Sequence, residues 1–106
     1  MTNIFSNPLS LFNLRSKVAL ITGASGAFGT VAAKALAGAG CKLVLAAGNN
    51  DALKKISEEC KILGAEVVTI NLRPDSEINC KELIDVAIKN FKKLDILVVA
   101  SGINSV

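Results

Sequence analysis

The sequence predicts an α/β domain built on one parallel sheet, and two observations support this prediction. Four short apolar runs alternate with three segments whose apolar residues recur at helical spacing, which gives the order strand, helix, strand, helix, strand, helix, strand. The runs are apolar almost without interruption, as in strands of a parallel sheet that is covered on both faces. With 106 residues, of which 51% are hydrophobic, the chain has material for one small domain.

The first two predicted strands flank an alanine-rich helix. Residues 17–22 form the first strand and residues 42–46 the second. Between them the helical spacing predicts an apolar face that ends near two glycines and consists of Phe28, Ala32, Ala35, Leu36 and Ala39. We take residues 1–13 as a leader and residues 14–106 as the domain.

The second part of the chain repeats this alternation. The second helix ends at Gly64, and its predicted apolar face consists of Leu53, Ile56, Cys60 and Leu63. Residues 66–71 form the third strand and residues 94–100 the fourth. The third helix lies between them with the clearest apolar stripe, which consists of Cys80, Leu83, Ile84, Ala87, Ile88 and Phe91.

Composition excludes several classes of function. The chain has neither His nor Tyr, which removes an imidazole base or metal ligand and a phenolic acid. The net charge is +3 and the basic residues are scattered, so we expect no nucleic-acid surface. No apolar run approaches the ~20 residues of a membrane span. The three cysteines form no C-x-x-C pair, which predicts no metal site and fits a cytoplasmic protein.

A glycine-rich turn joins the first strand to the first helix at residues 22–29, which read TGASGAFG. Gly23 permits a tight turn out of the strand, and Gly26 removes a Cβ where the backbone must approach a phosphate. Gly29 lets the helix pack closely on the sheet. The pattern lies directly after a strand and before a helix, and this position indicates a ligand-binding turn more strongly than the glycines alone would.

The first amides of the helix are the groups that such a turn presents to a ligand. Near Ala27 and Phe28 the N–H groups are expected to point at a pyrophosphate, on the positive end of the helix dipole. The alternative is a glycine-rich turn without a ligand. The place of the turn, at the first strand–helix connection of a parallel unit, favours phosphate binding.

The turn resembles the cofactor fingerprint T-G-x-x-x-G-x-G of the short-chain dehydrogenase/reductase family. Thr22, Gly23 and Gly29 match it, whereas the middle glycine of the family falls at Ala27 and a glycine stands one place earlier at Gly26. The resemblance covers nearly the whole chain. It implies a Rossmann-like doubly wound sheet, βαβαβαβ with strand order 3-2-1-4, and an NAD(P)-dependent oxidoreductase that transfers hydride between the nicotinamide and an alcohol or carbonyl substrate.

In the family that this chain resembles, cofactor choice depends on the end of the second strand. An Asp there favours NAD, and a nearby Arg favours NADP. This sequence has Ala47, Gly48 and Asn49 at these positions, so neither charge is present and either cofactor is acceptable. Ser25 and Asn49 are able to donate hydrogen bonds to a phosphate, and the balance favours NADP over NAD.

The resemblance also implies contacts at the ends of the third and fourth strands. Asn71 stands where the family has an Asp that accepts from the adenine amino group, and the Leu72 N–H would meet the adenine ring. The alternative for Asn71 is a cap on the strand end. The N-N-A-G of the family becomes V-A-S-G, where the backbone of Ala100, Ser101 and Gly102 would line the nicotinamide ribose.

No residue is assigned a catalytic role. The family that this chain resembles uses a Tyr, a Lys four residues later and a Ser, and this chain has no Tyr. The fourth strand would also leave a long apolar edge, because the strands that flank it in the family are missing. We therefore expect the N-terminal half of a longer oxidoreductase, truncated after the fourth strand, inactive alone and homo-oligomeric at full length, with a substrate that the sequence does not identify.

Two other functions stay open at this point. One alternative is a non-catalytic nucleotide-binding module, a sensor or an interaction domain, which would bind the cofactor without a second half. A methyltransferase or flavin protein would share the fold, but a methyltransferase needs an acidic residue at the end of the second strand. Ala47 and Gly48 argue against it.

Overall fold

The computed structural model describes residues 13–100, which form four strands and three helices. In chain order these are β1 (Val18–Thr22), α1 (Ala27–Gly38), β2 (Lys42–Ala46), α2 (Asn50–Ile62), β3 (Val67–Ile70), α3 (Glu77–Phe91) and β4 (Ile96–Val99). Residues 1–12 of the predicted leader lie outside the described part of the chain, as do the predicted site residues Ser101 and Gly102.

The strands form one parallel sheet in the order β3-β2-β1-β4, which confirms the predicted architecture. Strand β1 lies in the middle, with Leu20 opposite Val44 of β2 on one side and opposite Leu97 of β4 on the other. The chain order reverses between β1 and β4, because β2 and β3 extend the sheet in one direction and β4 extends it in the other. In doubly wound sheets ligands bind at such a reversal, beyond the carboxyl ends of the strands.

The helices cover both faces of the sheet and create two cores. Alternation along β1 and β2 sends successive side chains to opposite faces, and both strands are buried almost completely. One core joins the sheet to α1 and α2 through Ala19, Ile21, Leu43, Leu45, Ala33, Ala37, Leu53, Ile56 and Cys60. The other joins it to α3 through Val18, Leu20, Val44, Ala46, Leu83 and Ala87.

The buried face of α1 lies one position away from the predicted one, although Leu36 of the predicted face is partly buried against the core. The buried residues of this helix are Gly29, Ala33 and Ala37, whereas Phe28 is 71% exposed. Both sides of α1 are apolar, so the spacing alone allows two faces. The sheet selects the stripe of small residues at i, i+4 and i+8, because small side chains let the helix backbone approach the strands closely.

The faces of α2 and α3 are narrower than predicted. On α2, Leu53, Ile56 and Cys60 are buried, but Leu63 is the C-cap and half of it is exposed. On α3, Leu83 and Ala87 are buried, whereas two isoleucines of the predicted stripe lie at its margin and are partly exposed. None of the helices in residues 13–100 is long and apolar enough to cross a membrane.

Asp95 closes the amino-terminal end of the β1–β4 pair. Its backbone N–H donates to the Val18 carbonyl oxygen at 2.9 Å, and its carboxylate accepts the Val18 N–H at 2.8 Å. The side chain thus replaces a backbone carbonyl, and the regular strand begins at Ile96 instead of the predicted residue 94. The hydrogen bond from Val18 holds the pKa of Asp95 below its usual range.

Strand β4 carries two exposed apolar side chains on the face that α3 covers elsewhere. Leu97 pairs in register with Leu20 and Val99 with Thr22, so these side chains point to the α3 face. Leu97 is 56% exposed and Val99 66% exposed, because α3 packs over β1 and β2. Within residues 13–100 no strand pairs with the outer edge of β4.

Candidate functional site

The turn after β1 brings the chain sharply round to the start of α1. Gly23 has φ 67°, in the left-handed region that glycine adopts without a steric penalty. The Gly26 N–H donates to the Gly23 carbonyl oxygen at 3.0 Å, and the Ala24 N–H donates to the Ala46 carbonyl oxygen at 3.0 Å. The first bond closes the turn, and the second fixes it to the end of β2.

The two later glycines of the turn meet different constraints. A Cβ on Gly29 would overlap the Gly23 carbonyl oxygen and would lie 2.9 Å from Ala24 Cα, so the fold itself requires a glycine there. A Cβ on Gly26 would reach no closer than 3.4 Å to the same carbonyl oxygen, which is an ordinary contact. Packing within the protein therefore does not explain Gly26, and its bare backbone leaves room for a ligand.

The N-terminus of α1 differs from those of the other two helices. Asn49 caps α2 by accepting from the Ala52 N–H at 3.0 Å, and Ser76 caps α3. Each of these helices also has an acidic residue in its first turn. Helix α1 begins after Gly26 with no side-chain cap and no acidic residue in its first turn. Its first N–H groups and its dipole are therefore available to an anion.

Thr22, Ala27 and Phe28 complete the predicted turn. Thr22 is buried at the end of β1, and Ala27 and Phe28 are exposed in the first turn of α1. The methyl group of Ala27, where the family fingerprint has a glycine, lies on an exposed residue and causes no crowding within the fold.

The end of β3 is joined to the end of β2 by a side chain. Asn71 Nδ2 donates to the Ala47 carbonyl oxygen at 2.8 Å. This bond fixes the orientation of the amide and turns its Oδ1 into the atom that is able to accept from a ligand. The Leu72 N–H, which the sequence predicts as a donor to adenine, donates to the Ile70 carbonyl oxygen at 3.0 Å.

A cavity of about 520 Å³ opens at the carboxyl edge of the sheet, where these segments meet. Seven of the predicted site residues line it, namely Gly23, Ser25, Gly26, Gly48, Asn49, Leu72 and Ala100. The other predicted residues in the described range, including Asn71 and Gly29, lie outside its lining. The sequence analysis missed three lining residues, Arg73, Pro74 and Asp75, although they directly follow the third strand at the edge where ligands bind.

The family profile of the short chain dehydrogenases matches residues 17–106. This chain belongs to that family. An uncharacterized oxidoreductase of Mycobacterium tuberculosis is 43% identical over 98 residues, which are 92% of this chain and 36% of the relative. The 11-beta-hydroxysteroid dehydrogenase-like 2 of Arabidopsis thaliana is 38% identical over 92 residues, which are 86% of this chain and 30% of the relative. The chain thus spans about a third of the length of these curated relatives.

Solved structures of short-chain dehydrogenases have the same fold. A hydroxysteroid dehydrogenase from Escherichia coli matches with a TM-score of 0.80 and 33% identity, over 86% of this chain and 39% of that one. A short chain dehydrogenase/reductase from Burkholderia phymatum in complex with NAD matches with a TM-score of 0.77 and 35% identity, over 81% of this chain and 31% of that one. The four-stranded sheet described above is therefore the fold of about a third of each of these dehydrogenases.

Proposed function

We propose that this chain binds a nicotinamide dinucleotide and that its protein is an NAD(P)-dependent oxidoreductase acting on an alcohol or a carbonyl compound. The observation that carries the proposal is the uncapped N-terminus of α1 behind the turn at Gly23, placed where the strand order reverses. A pyrophosphate matches the free N–H groups and the positive dipole end at this place. The oxidoreductase relatives support this function over a non-catalytic nucleotide-binding module.

Different described residues would bind different parts of the dinucleotide. The backbone of Gly23 and Gly26, with the first amides of α1 at Ala27 and Phe28, would hold the pyrophosphate. Gly48 and Asn49 would face the adenosine ribose, and Ser25 is close enough to line the same cavity. Nicotinamide cofactors supply the hydride themselves, so these residues bind and orient the cofactor.

The adenine and nicotinamide ends would lie at the two outer strands. Asn71 Oδ1 would accept from the adenine amino group, because its Nδ2 already donates to Ala47. Ala100 would line the nicotinamide ribose, and Ser101 and Gly102, predicted for the same contact, lie outside the described residues. The alcohol or carbonyl substrate is proposed by similarity to relatives such as the hydroxysteroid and xylitol dehydrogenases.

Two finer points also belong to this proposal. A cytoplasmic location fits the cysteines Cys41, Cys60 and Cys80, which form no disulfide within residues 13–100. Homo-oligomer formation by the whole protein rests on the family resemblance.

A matched pair of glycine variants tests dinucleotide binding. Gly26→Ala places a methyl group on the proposed phosphate path and leaves the fold intact, whereas Gly38→Ala at the other end of α1 meets nothing within 4 Å. We expect Gly26→Ala to raise the Kd of NADH and NADPH by about tenfold or more, which is at least 1.4 kcal/mol of binding free energy. Gly38→Ala should bind like the unchanged chain. Equal binding by both variants in a fluorescence titration would exclude the turn as the phosphate site.

A further inference from the structure

Arg73 reaches from the end of β3 to the end of β2. It follows Asn71 and Leu72 directly, and its guanidinium lies over the backbone of Gly48, where a Cβ would overlap it. Gly48 therefore has a role that the sequence did not suggest, because it makes room for the guanidinium. Arg73 and Gly48 line the same cavity as Asn49 and Ser25, at the level of the proposed adenosine ribose.

The guanidinium of Arg73 has no partner within residues 13–100. The salt bridges of this range join Lys34 to Glu59 and Lys93 to Asp95, and no hydrogen bond involves the Arg73 side chain. Asp75 is the carboxylate that lines the same cavity, and its Oδ1 accepts from Asn79 Nδ2 at 2.8 Å. A positive charge with free N–H donors thus faces the cavity.

The end of β2 itself supplies no charge. Ala47, Gly48 and Asn49 are neutral, and the Oδ1 of Asn49 is used to cap α2, so its amide N–H₂ is the group left for a ligand. An acidic residue here would accept from a ribose hydroxyl and repel a phosphate. Arg73 brings the opposite charge to this place from a different strand, in the planar form that pairs with phosphate oxygens through two N–H groups.

We propose that Arg73 is the specificity-determining residue of the site and binds the 2′-phosphate of NADP(H) at the end of β2. The proposal rests on the dinucleotide binding proposed above. Stacking of the guanidinium on adenine would serve NAD and NADP equally, so preference between the two cofactors separates the roles.

The test compares NADPH with NADH on the full chain and on two independent variants. Arg73→Gln removes the charge, and Gly48→Ala leaves Arg73 in place but puts a methyl group where its guanidinium lies. Lys89→Gln and Gly38→Ala are the matched controls, because Lys89 lies in the last turn of α3 at the opposite edge of the sheet and Gly38 faces open space. Circular dichroism checks that each variant is folded.

Charge-assisted hydrogen bonds set the size of the expected effect. The unchanged chain should prefer NADPH by about tenfold or more, and Arg73→Gln should raise the Kd of NADPH by about the same factor with little change for NADH. Gly48→Ala, whose methyl group would also lie beside the proposed adenosine ribose, should weaken NADPH binding more than NADH binding. Arg73→Lys should retain part of the preference for NADPH. The preference of the unchanged chain for NADPH should decrease as the salt concentration rises. The same difference is expected for two ligands that lack the nicotinamide: adenosine 2′,5′-bisphosphate should bind more tightly than adenosine 5′-monophosphate, and Arg73→Gln should weaken the binding of the bisphosphate.

Several results would overturn the inference, and they differ from a failure of the proposed function. Preference of the unchanged chain for NADH, or an Arg73→Gln variant that binds NADPH as well as before, would exclude a 2′-phosphate contact while dinucleotide binding stands. An equal loss of both cofactors would assign Arg73 to a shared part of the ligand. Failure of the unchanged chain to bind either cofactor would overturn both proposals.

Discussion

Replacement of Gly29 by alanine should destabilise the fold, because the turn and the helix approach each other too closely for a methyl group. The new Cβ would overlap the Gly23 carbonyl oxygen and lie 2.9 Å from Ala24 Cα, both of them backbone positions that a rotamer change cannot move. Overpacking of this kind costs about 3 kcal/mol at the upper end of its range. Alanine regains about 1 kcal/mol through its helix propensity. The free energy of unfolding should therefore fall by about 2 kcal/mol.

Urea unfolding followed by circular dichroism at 222 nm measures this loss, with Gly38→Ala as the control on the same helix. Gly38 faces open space, so alanine there should leave the stability unchanged or raise it by up to about 1 kcal/mol. The two variants carry the same chemical change and differ in what the methyl group meets. A Gly29→Ala variant as stable as Gly38→Ala would refute the close approach and, with it, the small-residue stripe on α1.

Three further predictions concern hydrogen bonds of the site and its frame. The pKa of Asp95 is lowered from 3.8 mainly by its bond from Val18, so its contribution to stability is complete above that value and is lost as the pH falls through the lower folded pKa. Between pH 5 and pH 3 the free energy of unfolding of Asp95→Asn should therefore fall by less than that of the unchanged chain, as measured by urea unfolding at each pH. Asn71→Leu should lower the unfolding free energy by about 1 kcal/mol in urea, through loss of the bond to Ala47, and should weaken adenine binding in calorimetry. Asn49→Asp should keep the α2 cap and its thermal stability while it reduces NADPH affinity more than NADH affinity, because a carboxylate repels the 2′-phosphate.

Much of the architecture follows from local pattern. The predicted bounds of β2 agree with the structure and those of β1 differ by one residue, since continuous apolar runs identify strands that are buried on both faces. The turn is also predictable from the sequence, because its constraints are local. Gly23 is required by a positive φ, and Gly29 is required by its close contact with the backbone of Gly23 and Ala24. The buried face of α1 could not be predicted from the sequence, because the helix has two apolar stripes and packing against the strands determines which one is buried.

The missed features of the site depend on residues far apart in the chain. Arg73 follows β3, whereas Gly48 follows β2, and helix α2 and strand β3 lie between the two residues in the chain. No sequence spacing indicates that the Arg73 side chain reaches the end of β2. The bond from Asn71 to Ala47 and the bond from Val18 to Asp95 likewise join separate strands. The sequence predicted Asn71 as an acceptor, but the contact that leaves Oδ1 free for that role became visible only in three dimensions.

The central place of β1 in the sheet has a consequence for the way the chain folds during synthesis. Val18 and Asp95 are separated by 77 residues, so at about 5–20 residues per second roughly 4–15 s pass between the synthesis of β1 and the arrival of its second neighbour. Strand β2 is synthesised soon after β1 and supplies the neighbour on one edge, whereas the other edge has no neighbour until β4 is synthesised. The β1–β4 pair is thus the last strand pair of the described sheet that synthesis allows to form, and until then one side of the central strand is open to mispairing.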